Sequence, residues 1–346
     1  MITLGIVGGG QLGRMICYSA HKRGLKTVIL SDQSDCPAQD VCDKTIIGDY
    51  NNKKILDQFC ESIDLATFEF ENIPLETAEY IESKKKLYPF ANVLKITQNR
   101  ILEKNFLREN GVKTADFVEI NNLDDLKIAI TKFKKGILKT AIMGYDGKGQ
   151  FVLDEKSEIT KIYEQVKNLP LIFERFCQFE SEASVIVARS IKGEIKTYEP
   201  LTNIHKNGIL SRSFYPAKIS NPQKITTQKI ATKIAEKINL IGILAVEFFI
   251  FDNQILVNEL APRPHNSGHF SMDGAITSQF DQLIRCLIGD SLGNTKFHSQ
   301  GQMINLIGDE IKDLEKYQKN PNAKIHLYGK KIAKDGRKMG HINLLK

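Results

Sequence analysis

Short, uninterrupted hydrophobic runs alternate with mixed segments through the first part of the chain. Residues 2–7 form an apolar run, a glycine-rich turn follows, and a mixed segment extends to residue 23. The same alternation recurs with runs at 25–30, 45–47 and 65–68 and a mixed segment at 52–63. Uninterrupted runs are typical of buried parallel strands, and mixed segments of amphipathic helices. This part of the chain therefore predicts βαβ units and a parallel sheet, whose ligands bind beyond the strand C-termini.

The pattern changes beyond residue 93. Residues 93–110 predict one long helix that ends at Gly111 and crosses from the first domain to the second. Further strands are predicted at 112–120, 136–140, 171–176, 182–189 and 194–198, and further helices at 123–133, 226–237 and 278–288. The second half of the chain is therefore expected to be rich in strands.

Two apolar runs near the middle of the second half each carry acids. Glu247 interrupts residues 243–251, and Asn258-Glu259 interrupts residues 255–260. The short separation predicts a hairpin, in which a three-residue loop would place Glu247 opposite Glu259 and a two-residue loop opposite Asn258. A buried carboxylate must be paired, protonated or bound to a cation. We interpret Glu247, Asn258 and Glu259 as oxygen ligands for Mg2+; the alternative is a solvated strand face.

Two glycine-rich loops are candidates for binding phosphate. Gly8, Gly10 and Gly13 fit G-x-G-x-x-G after the first strand, and Asp32 ends the second strand, where a dinucleotide fold holds a ribose. A tight turn that packs a helix on a strand needs the same glycines. The second loop, residues 143–150, follows Lys139 on a strand, so the lysine and backbone N–H groups could hold nucleotide phosphates. A plain hairpin turn is the alternative there.

Other polar residues have two open interpretations each. Glu69 and Glu71 end a strand and could contact a substrate amine or ribose, or cap the helix after Pro74. Glu174 and Glu182 could accept hydrogen bonds from adenine and ribose groups, or lie on the surface. A lone His205 is more often structural. Residues 325–331 and 336–341 form a basic hairpin that either holds a substrate phosphate or is a solvated edge strand.

Composition limits the class of protein. The 346 residues can form two or three domains, with hydrophobic content of 42% and charged content of 26%, as in globular proteins. No run has the length of a membrane span and no signal region is recognisable, so we expect a cytoplasmic protein without a membrane partner. The six cysteines form no C-x-x-C pair, which favours reduced thiols. The net charge is +7, but the sequence has no long basic stripe interleaved with aromatic residues, so no nucleic acid partner is expected.

Taken together, the motifs at residues 8–15, 67–74, 144–150, 244–247, 258–269 and 326–330 resemble those of the 5-(carboxyamino)imidazole ribonucleotide synthases, ATP-grasp enzymes of purine biosynthesis. The resemblance covers essentially the whole chain. It implies an α/β ATP-grasp fold with an α+β lid. The implied domains are an N-terminal Rossmann-like parallel-sheet domain (1–95), a lid (96–180), a large ATP-grasp subdomain (181–295) and a small C-terminal β-rich substrate-binding piece (296–346). Met143, where a glycine is common, and Ala183 in Glu182-Ala183-Ser184 depart from the family pattern.

The resemblance also implies roles for individual residues. The implied nucleotide contacts are Arg100, Lys139, Gly144, Tyr145, Asp146, Gly147, Lys148, Gly149, Gln150, Glu174, Arg175, Phe176, Cys177, Glu182, His205, Asn258 and Glu259. Glu247 and Glu259 match Mg2+ ligands, and Tyr145, Asp146, Arg263 and His265 match the catalytic positions that hold bicarbonate and its phosphorylated form. The implied substrate contacts are Gln11, Leu12, Glu69, Glu71, Lys330, Arg337 and Lys338, the last three at the ribonucleotide phosphate.

The activity implied by the resemblance uses ATP and Mg2+. Bicarbonate attacks the γ-phosphate to give carboxyphosphate, and the exocyclic amine of 5-aminoimidazole ribonucleotide is then carboxylated, with Asp146 or His265 accepting the amine proton. A homodimer is implied as well. Three other hypotheses remain open at this point: another ATP-grasp ligase of purine metabolism, a nicotinamide-dependent reductase based on Gly8 to Gly13 and Asp32, and a non-catalytic nucleotide sensor.

Overall fold

The N-terminal part of the protein is a five-stranded parallel sheet with helices. The computed structural model describes residues 1–142, 149–251 and 254–346. The first elements are β1 (Thr3–Val7), α1 (Gln11–His21), β2 (Lys26–Ser31), β3 (Lys44–Ile47), α2 (Lys53–Glu61), β4 (Leu65–Phe68), α3 (Leu75–Lys84) and β5 (Lys86–Leu87). The strand order is β3-β2-β1-β4-β5, and the four strand pairs are parallel. The predicted βαβ alternation is therefore confirmed.

Two helices, α4 (Ala91–Gln98) and α5 (Arg100–Glu109), replace the single helix predicted over residues 93–110. The prediction was wrong at Asn99, whose backbone is extended and whose side-chain oxygen accepts hydrogen bonds from the N–H groups of Ile101 at 2.9 Å and Leu102 at 3.3 Å. Asparagine is among the preferred N-cap residues, because its side chain satisfies N–H groups that have no partner within the helix. Arg100 therefore opens the second helix.

The lid is a separate four-stranded antiparallel sheet. Its elements are β6 (Phe117–Ile120), α6 (Leu123–Phe133), β7 (Lys135–Thr140), β8 (Gln150–Asp154), α7 (Ile159–Val166) and β9 (Leu171–Arg175), with strand order β6-β9-β7-β8. Leu126, Ile130, Leu138 and Phe173 belong to a hydrophobic core confined to these elements. Most of the predicted glycine loop, residues 143–148, lies outside the described residues.

The remaining elements build one large antiparallel sheet and the helices that cover it. They are β10 (Ser181–Arg189), β11 (Ile195–Thr197), β12 (Leu201–Lys206), β13 (Ile209–Tyr215), α8 (Asn221–Lys237), β14 (Gly242–Ile250), β15 (Ile255–Ala261), a 3-10 helix (Asn266–Phe270), α9 (Ser271–Gly274), α10 (Gln279–Ile288), β16 (Gly301–Ile307), a 3-10 helix (Gly308–Asp313), α11 (Leu314–Gln318), β17 (Ala323–Leu327) and β18 (Lys338–Leu345). The strand order is β15-β14-β10-β12-β13-β16-β18-β17, with β11 paired to β10. The C-terminal strands thus extend the large sheet through the β13–β16 pair.

The N-terminal domain and the large sheet share a hydrophobic core. Ile16 of α1 and Phe280 and Leu283 of α10 belong to the same buried cluster. Arg23 reinforces this contact, because its Nε lies 2.8 Å from Asp281 and its Nη1 lies 2.7 Å from Asp290. The N-terminal domain therefore packs directly against the large sheet through α1 and α10.

Two further observations concern the state of the cysteines and the length and polarity of the helices. All six cysteines are free thiols. Among the described residues, the helices are too short or too polar to cross a lipid bilayer.

Candidate active site

A cleft of about 600 Å³ lies where the lid, the large sheet and the N-terminal sheet meet. It is lined by many of the residues that the sequence analysis singled out: Gln11, Leu12, Glu69, Glu71, Arg100, Lys139, Gln150, Glu182, His205, Glu247, Asn258, Glu259, Arg263, His265 and Lys338. The lining does not include Gly149, Glu174, Arg175, Phe176, Cys177, Lys330 or Arg337. Gly144, Tyr145, Asp146, Gly147 and Lys148 lie outside the described residues. Residues far apart in the sequence therefore meet in one cavity.

The floor of the cleft is the β14–β15 hairpin, which contains a β-bulge. Val246 pairs with Leu260 and Phe248 with Val257, so two residues of β15, Asn258 and Glu259, face Glu247. On the turn side of the bulge the strands pair in the register of a two-residue loop, and beyond the bulge they pair in the register of a three-residue loop. The hairpin thus contains both registers that the sequence left open. A bulge places an extra residue in one strand and redirects its side chains, and bulges are frequent next to active sites.

Two carboxylates face each other at this bulge. Burial and the neighbouring charge of Glu259 raise the pKa of Glu247 to about 8. Partial compensation comes from Arg100, whose Nη1 lies 3.4 Å from Glu259 Oε2. His265 Nε2 lies 3.5 Å from Glu247 Oε1. Arg100 does not fully offset the two acids, since the pKa of Glu247 stays raised, and a bound cation would stabilise the ionised form of both carboxylates.

The donor set at the bulge fits magnesium rather than a metal held by protein alone. Among the described residues, no group of three His, Cys, Asp or Glu side chains is placed to hold a metal ion. Mg2+ is commonly bound through one or two carboxylates together with substrate phosphates and water. Glu247 and Glu259 supply such a pair in the wall of an open cleft.

The lid side of the cleft is rich in positive charge. Glu174 Oε2 lies 3.0 Å from Lys139 Nζ and 3.3 Å from Lys104 Nζ. Burial alone would raise the pKa of Glu174, but the two lysines outweigh it and hold that pKa at about 2. Burial lowers the pKa of Lys139, and the Glu174 carboxylate partly opposes this effect. Because that carboxylate is held by two lysines, its predicted contact with the nucleotide stays a prediction.

Sequence reasoning missed Lys104 and Glu103, which are both buried. Lys104 Nζ also lies 3.0 Å from Thr114 Oγ1 and 3.4 Å from the carbonyl oxygen of Asn258. Glu103 accepts a hydrogen bond from the N–H of Leu260 at 2.9 Å, and burial raises the pKa of this carboxyl to about 8. Lys104 follows Arg100 at i+4, so both lie on one helix face, and this spacing was the signal available.

A short segment after β15 carries Arg263 and His265. Arg263 Nη2 lies 2.8 Å from Glu71 Oε1, and its Nε contacts Glu71 Oε2, which makes a two-pronged ion pair. Burial would raise the pKa of Glu71, but Arg263 outweighs it and lowers that pKa. Gln279 fixes the backbone of His265, because its Oε1 accepts from the N–H of His265 at 2.9 Å and its Nε2 donates to the carbonyl at 2.8 Å.

The protonation state of His265 follows from its partners. Burial and the charge of Arg263 lower its pKa well below the usual range, so the ring is neutral near pH 7. The N–H of Ser267 donates to Nδ1 at 3.3 Å, and the Ser267 hydroxyl lies 2.9 Å from the same atom. Since Nδ1 accepts, Nε2 carries the hydrogen and points towards Glu247.

The carboxylate of Glu69 caps the N-terminus of α1. Its Oε2 accepts from the N–H of Gly13 at 2.8 Å, and its Oε1 accepts from the N–H of Gly10. The alternative interpretation, in which Glu69 caps the helix after Pro74, is wrong, because Glu69 caps α1, whose own N-cap Gly10 has no side chain. These N–H groups are the ones that a dinucleotide phosphate would need, which opposes the nicotinamide hypothesis.

Another part of the cleft contains His205, Glu182 and two aromatic rings. His205 Nδ1 lies 2.6 Å from Glu182 Oε2. Burial would lower the pKa of His205, but the hydrogen bond to Glu182 outweighs it and raises that pKa. Phe179 and Phe249 stack with centroids 4.5 Å apart beside them. The sequence analysis missed these rings, although Phe249 follows Glu247 at i+2 and so shares its strand face.

The basic C-terminal hairpin contributes Lys338 to the cleft. Lys330 Nζ donates to the carbonyl of Lys338 at 2.8 Å, and burial and the charge of Arg337 lower the pKa of Lys330 to about 8. Arg337 Nη1 donates to the carbonyl of Ile332 at 2.9 Å. Of the three predicted phosphate contacts, the structure places one in the cleft lining and two beside it.

Comparison with protein families covers most of the chain. Residues 1–98 match the ribonucleotide synthetase preATP-grasp domain, residues 105–280 match the ATP-grasp domain, and residues 302–346 match the phosphoribosylaminoimidazole carboxylase C-terminal domain. Three different family models therefore follow one another along the chain.

Individual proteins give the same result. The chain is 40% identical to the N5-carboxyaminoimidazole ribonucleotide synthase of Bacillus subtilis, over 99% of this chain and 91% of that protein. It is also 40% identical to the bifunctional purine synthesis protein purC/E of Dictyostelium discoideum, over 98% of this chain, but it spans only 36% of that longer protein.

A solved structure shows the same fold. The N5-carboxyaminoimidazole synthase of Aspergillus clavatus, in complex with ADP and 5-aminoimidazole ribonucleotide, superposes with a TM-score of 0.93 at 28% identity, over 100% of this chain and 94% of that one. The predicted ATP-grasp fold and the predicted family are both confirmed. This chain belongs to the family of N5-carboxyaminoimidazole ribonucleotide synthases.

Proposed function

We propose that this protein carboxylates the exocyclic amine of 5-aminoimidazole ribonucleotide with ATP and bicarbonate, giving N5-carboxyaminoimidazole ribonucleotide, ADP and phosphate in purine biosynthesis. One observation carries the proposal: a single cleft joins the lysine side of the lid, the Glu247–Glu259 pair, the Arg263–His265 segment and Lys338. The names of the relatives and the bound ligands of the Aspergillus clavatus structure support the same reaction.

The charges of the cleft suit a reaction between anions. ATP, bicarbonate and the ribonucleotide are all negatively charged, so the site must offset charge before they approach one another. We assign Lys139 to the nucleotide phosphates, Arg263 and His265 to bicarbonate and the carboxyphosphate formed from it, and Lys338 with Lys330 and Arg337 to the ribonucleotide phosphate. Glu71 holds Arg263 by its ion pair, which fixes the direction of the guanidinium.

Magnesium is the cation that we assign to Glu247 and Glu259. When bound, it supplies positive charge that offsets the phosphate oxygens in the transition state of phosphoryl transfer. Glu103 and Lys104 support this part of the site, because they fix the N–H of Leu260 and the carbonyl of Asn258 on either side of Glu259.

The tautomer of His265 bears on the proton of the reacting amine. With Nδ1 accepting from Ser267, His265 presents an N–H donor rather than a free acceptor to the cleft. This arrangement suits an anion-binding role and favours Asp146 as the proton acceptor. Asp146, like Tyr145 and Gly144, lies outside the described residues, so its role rests on the sequence.

The remaining assignments from the sequence are proposals of the same kind. Arg100, Gln150, Glu182, His205 and Asn258 line the cleft and suit contacts to the nucleotide. Gln11 and Leu12 begin α1 beside Glu69 and suit contacts to the ribonucleotide. A homodimer and a cytoplasmic location also remain predictions, and sedimentation of the purified protein measures the first of them.

An ADP-release assay tests the function. With ATP and Mg2+ present, ADP should be released at the full rate only when both bicarbonate and 5-aminoimidazole ribonucleotide are present. Omission of either should lower the rate of ADP release. Formate or an amino acid in place of bicarbonate should not restore the rate, which separates this ligase from others of the same fold. Equal ADP release without the ribonucleotide would contradict the proposal, and ATP binding without any turnover would indicate a nucleotide sensor instead.

A further inference from the structure

Three histidine rings stack behind the wall of the cleft. The centroids of His269 and His341 are 4.6 Å apart, and those of His341 and His326 are 4.5 Å apart with ring planes only 12° from parallel. His269 lines the cleft, whereas His341 has no exposed surface. His326 and His341 are cross-strand partners on β17 and β18. The rings therefore form a row that runs from the cleft to the C-terminal hairpin.

Hydrogen bonds hold two of these rings and the backbone of the third histidine. His326 Nε2 lies 2.7 Å from Asp273 Oδ2, and His341 Nδ1 lies 2.8 Å from the Tyr328 hydroxyl. Asn343 Nδ2 donates to Asp273 at 2.6 Å and to the carbonyl of His269 at 3.0 Å. Buried polar groups cost free energy unless they are paired, and the hydrogen bonds that these residues make favour one geometry, although His341 Nε2 and Asn343 Oδ1 have no hydrogen-bond partner among the described residues. Aliphatic residues would fill the same space without that selectivity.

The cleft end of the row meets the anion-binding segment. Gln279 Nε2 lies 3.0 Å from His269 Nδ1 and also donates to the carbonyl of His265. The same amide thus holds the ring of His269 and the backbone of His265. A displacement of His269 would be passed to His265 through a single side chain.

The other end of the row meets the phosphate-binding hairpin. The chain leaves the sheet at His326 and Leu327, passes through Tyr328 and Lys330, and returns at Lys338, three residues before His341. The positions of Lys330 and Lys338 therefore depend on where the His326–His341 pair is held. Among the described residues, none of these contacts joins a ring of the stack directly to Lys139, Glu247 or Glu259, and the route to the nucleotide side passes through His265, whose Nε2 lies 3.5 Å from Glu247 Oε1.

We propose that His269, His341 and His326 are positioning residues that fix the distance between the Arg263–His265 segment and Lys338, and so select a substrate that carries its phosphate at a set distance from the reacting amine. This inference rests on the proposed function, because it concerns the ribonucleotide of that reaction. It assigns specificity for the phosphorylated substrate to three residues of which His269 lines the cleft and His326 and His341 do not.

The test compares steady-state constants for two substrates. His341→Leu should raise the KM for 5-aminoimidazole ribonucleotide about tenfold, the effect of losing about one buried hydrogen bond, and leave the KM for ATP within about twofold. Tyr328→Phe removes one hydroxyl and should change the same constant in the same direction by a smaller factor. His298→Gln is the matched control, because His298 is exposed and hydrogen-bonds the neighbouring Ser299.

The outcomes separate the inference from the function on which it rests. A role in packing alone would raise both KM values together or lower only the melting temperature, and either result would overturn the inference. If His341→Leu fails to fold, Tyr328→Phe decides the question, and an unchanged ribonucleotide KM in that variant counts against the stack. If the unmodified protein shows no ribonucleotide-dependent ADP release, the proposed function itself fails.

Discussion

Two buried carboxylates beside the same cleft have opposite electrostatic surroundings. Glu174 in the lid lies between Lys104 and Lys139, which hold its pKa at about 2. Glu247 in the large sheet faces Glu259, and burial together with this acid raises its pKa to about 8. Both residues are buried, with Glu174 2% exposed and Glu247 9% exposed. The surroundings, and not burial alone, decide whether each carboxylate is charged.

The difference shows how the cleft is prepared for its ligands. The lid side has more positive than negative charge before any ligand arrives, which suits polyphosphate. The sheet side has too much negative charge and gains from a cation that would arrive with the phosphates. Removing charge from either side should therefore have different consequences, and four measurements compare the two sides.

The largest effect is expected on the sheet side. Glu259→Gln removes one of the two acids assigned to the metal and should lower the turnover number about a thousandfold, because stabilisation of transition-state charge is lost. Initial-rate measurement of ADP release checks this. Glu119→Gln, an exposed acid on β6, is the control. A Glu259→Gln variant with a normal rate would remove the metal assignment.

Lys104→Met should lower the free energy of unfolding by about 3 kcal/mol, because it leaves the buried Glu174 with one lysine in place of two. Urea denaturation measures the change. The nearby Lys113 is exposed, so Lys113→Met should change the free energy of unfolding by less than about 0.5 kcal/mol. Equal effects of the two substitutions would show that the buried charges of the lid side contribute little.

Lys139→Met should raise the KM for ATP about tenfold to a hundredfold, since a charge-assisted contact to phosphate is lost. The KM for the ribonucleotide should change much less. Lys135 lies on the same strand with an exposed side chain, so Lys135→Met serves as the control. If both KM values rise equally, the lysine is not specific to the nucleotide side.

The smallest effect concerns acid stability. The pKa of Glu174 falls from its usual 4.5 to about 2 on folding, so its contribution to stability is complete above about pH 4.5 and is lost as the pH falls towards 2. Glu174→Gln should flatten this part of the pH dependence in urea denaturation. Glu247→Gln should leave the pH dependence below about pH 4 unchanged, because at such low pH Glu247, with a usual pKa of 4.5 and a folded pKa of about 8, is mostly protonated in both states. If the unmodified protein and both variants lost stability identically as the pH falls, the charge assignment of Glu174 would be contradicted.

The sequence predicted those parts of the fold that local pattern determines. The βαβ alternation, the β14–β15 hairpin and the isolated acids on it all follow from apolar periodicity, because a carboxylate within an apolar run is visible without a structure. The bulge was not predicted, although both of its possible registers were. The identity of the ribonucleotide came from family resemblance, since residues alone indicate an anion and not which one.

Other features depend on tertiary contacts that local pattern does not contain. Asn99 divides a segment whose apolar pattern is continuous, and Glu69 caps a helix more than fifty positions earlier in the chain. Lys104 resembles any helical lysine until Glu174 is placed beside it. The three stacked histidines come from three separate segments of the chain, and folding brings their rings together.

The pairing of β13 with β16 has a consequence for how this protein can be divided or recombined. Family models assign residues 302–346 to a domain of their own, yet these residues complete a sheet that begins at β15. Cutting the chain before β16 would expose one edge of β13 from Arg212 to Tyr215, and an exposed strand edge of this kind invites association between chains. A chimera that exchanges the C-terminal segment must therefore preserve the hydrogen-bonded register of Arg212 with Ile304, because the junction is a row of backbone contacts and not a flexible linker.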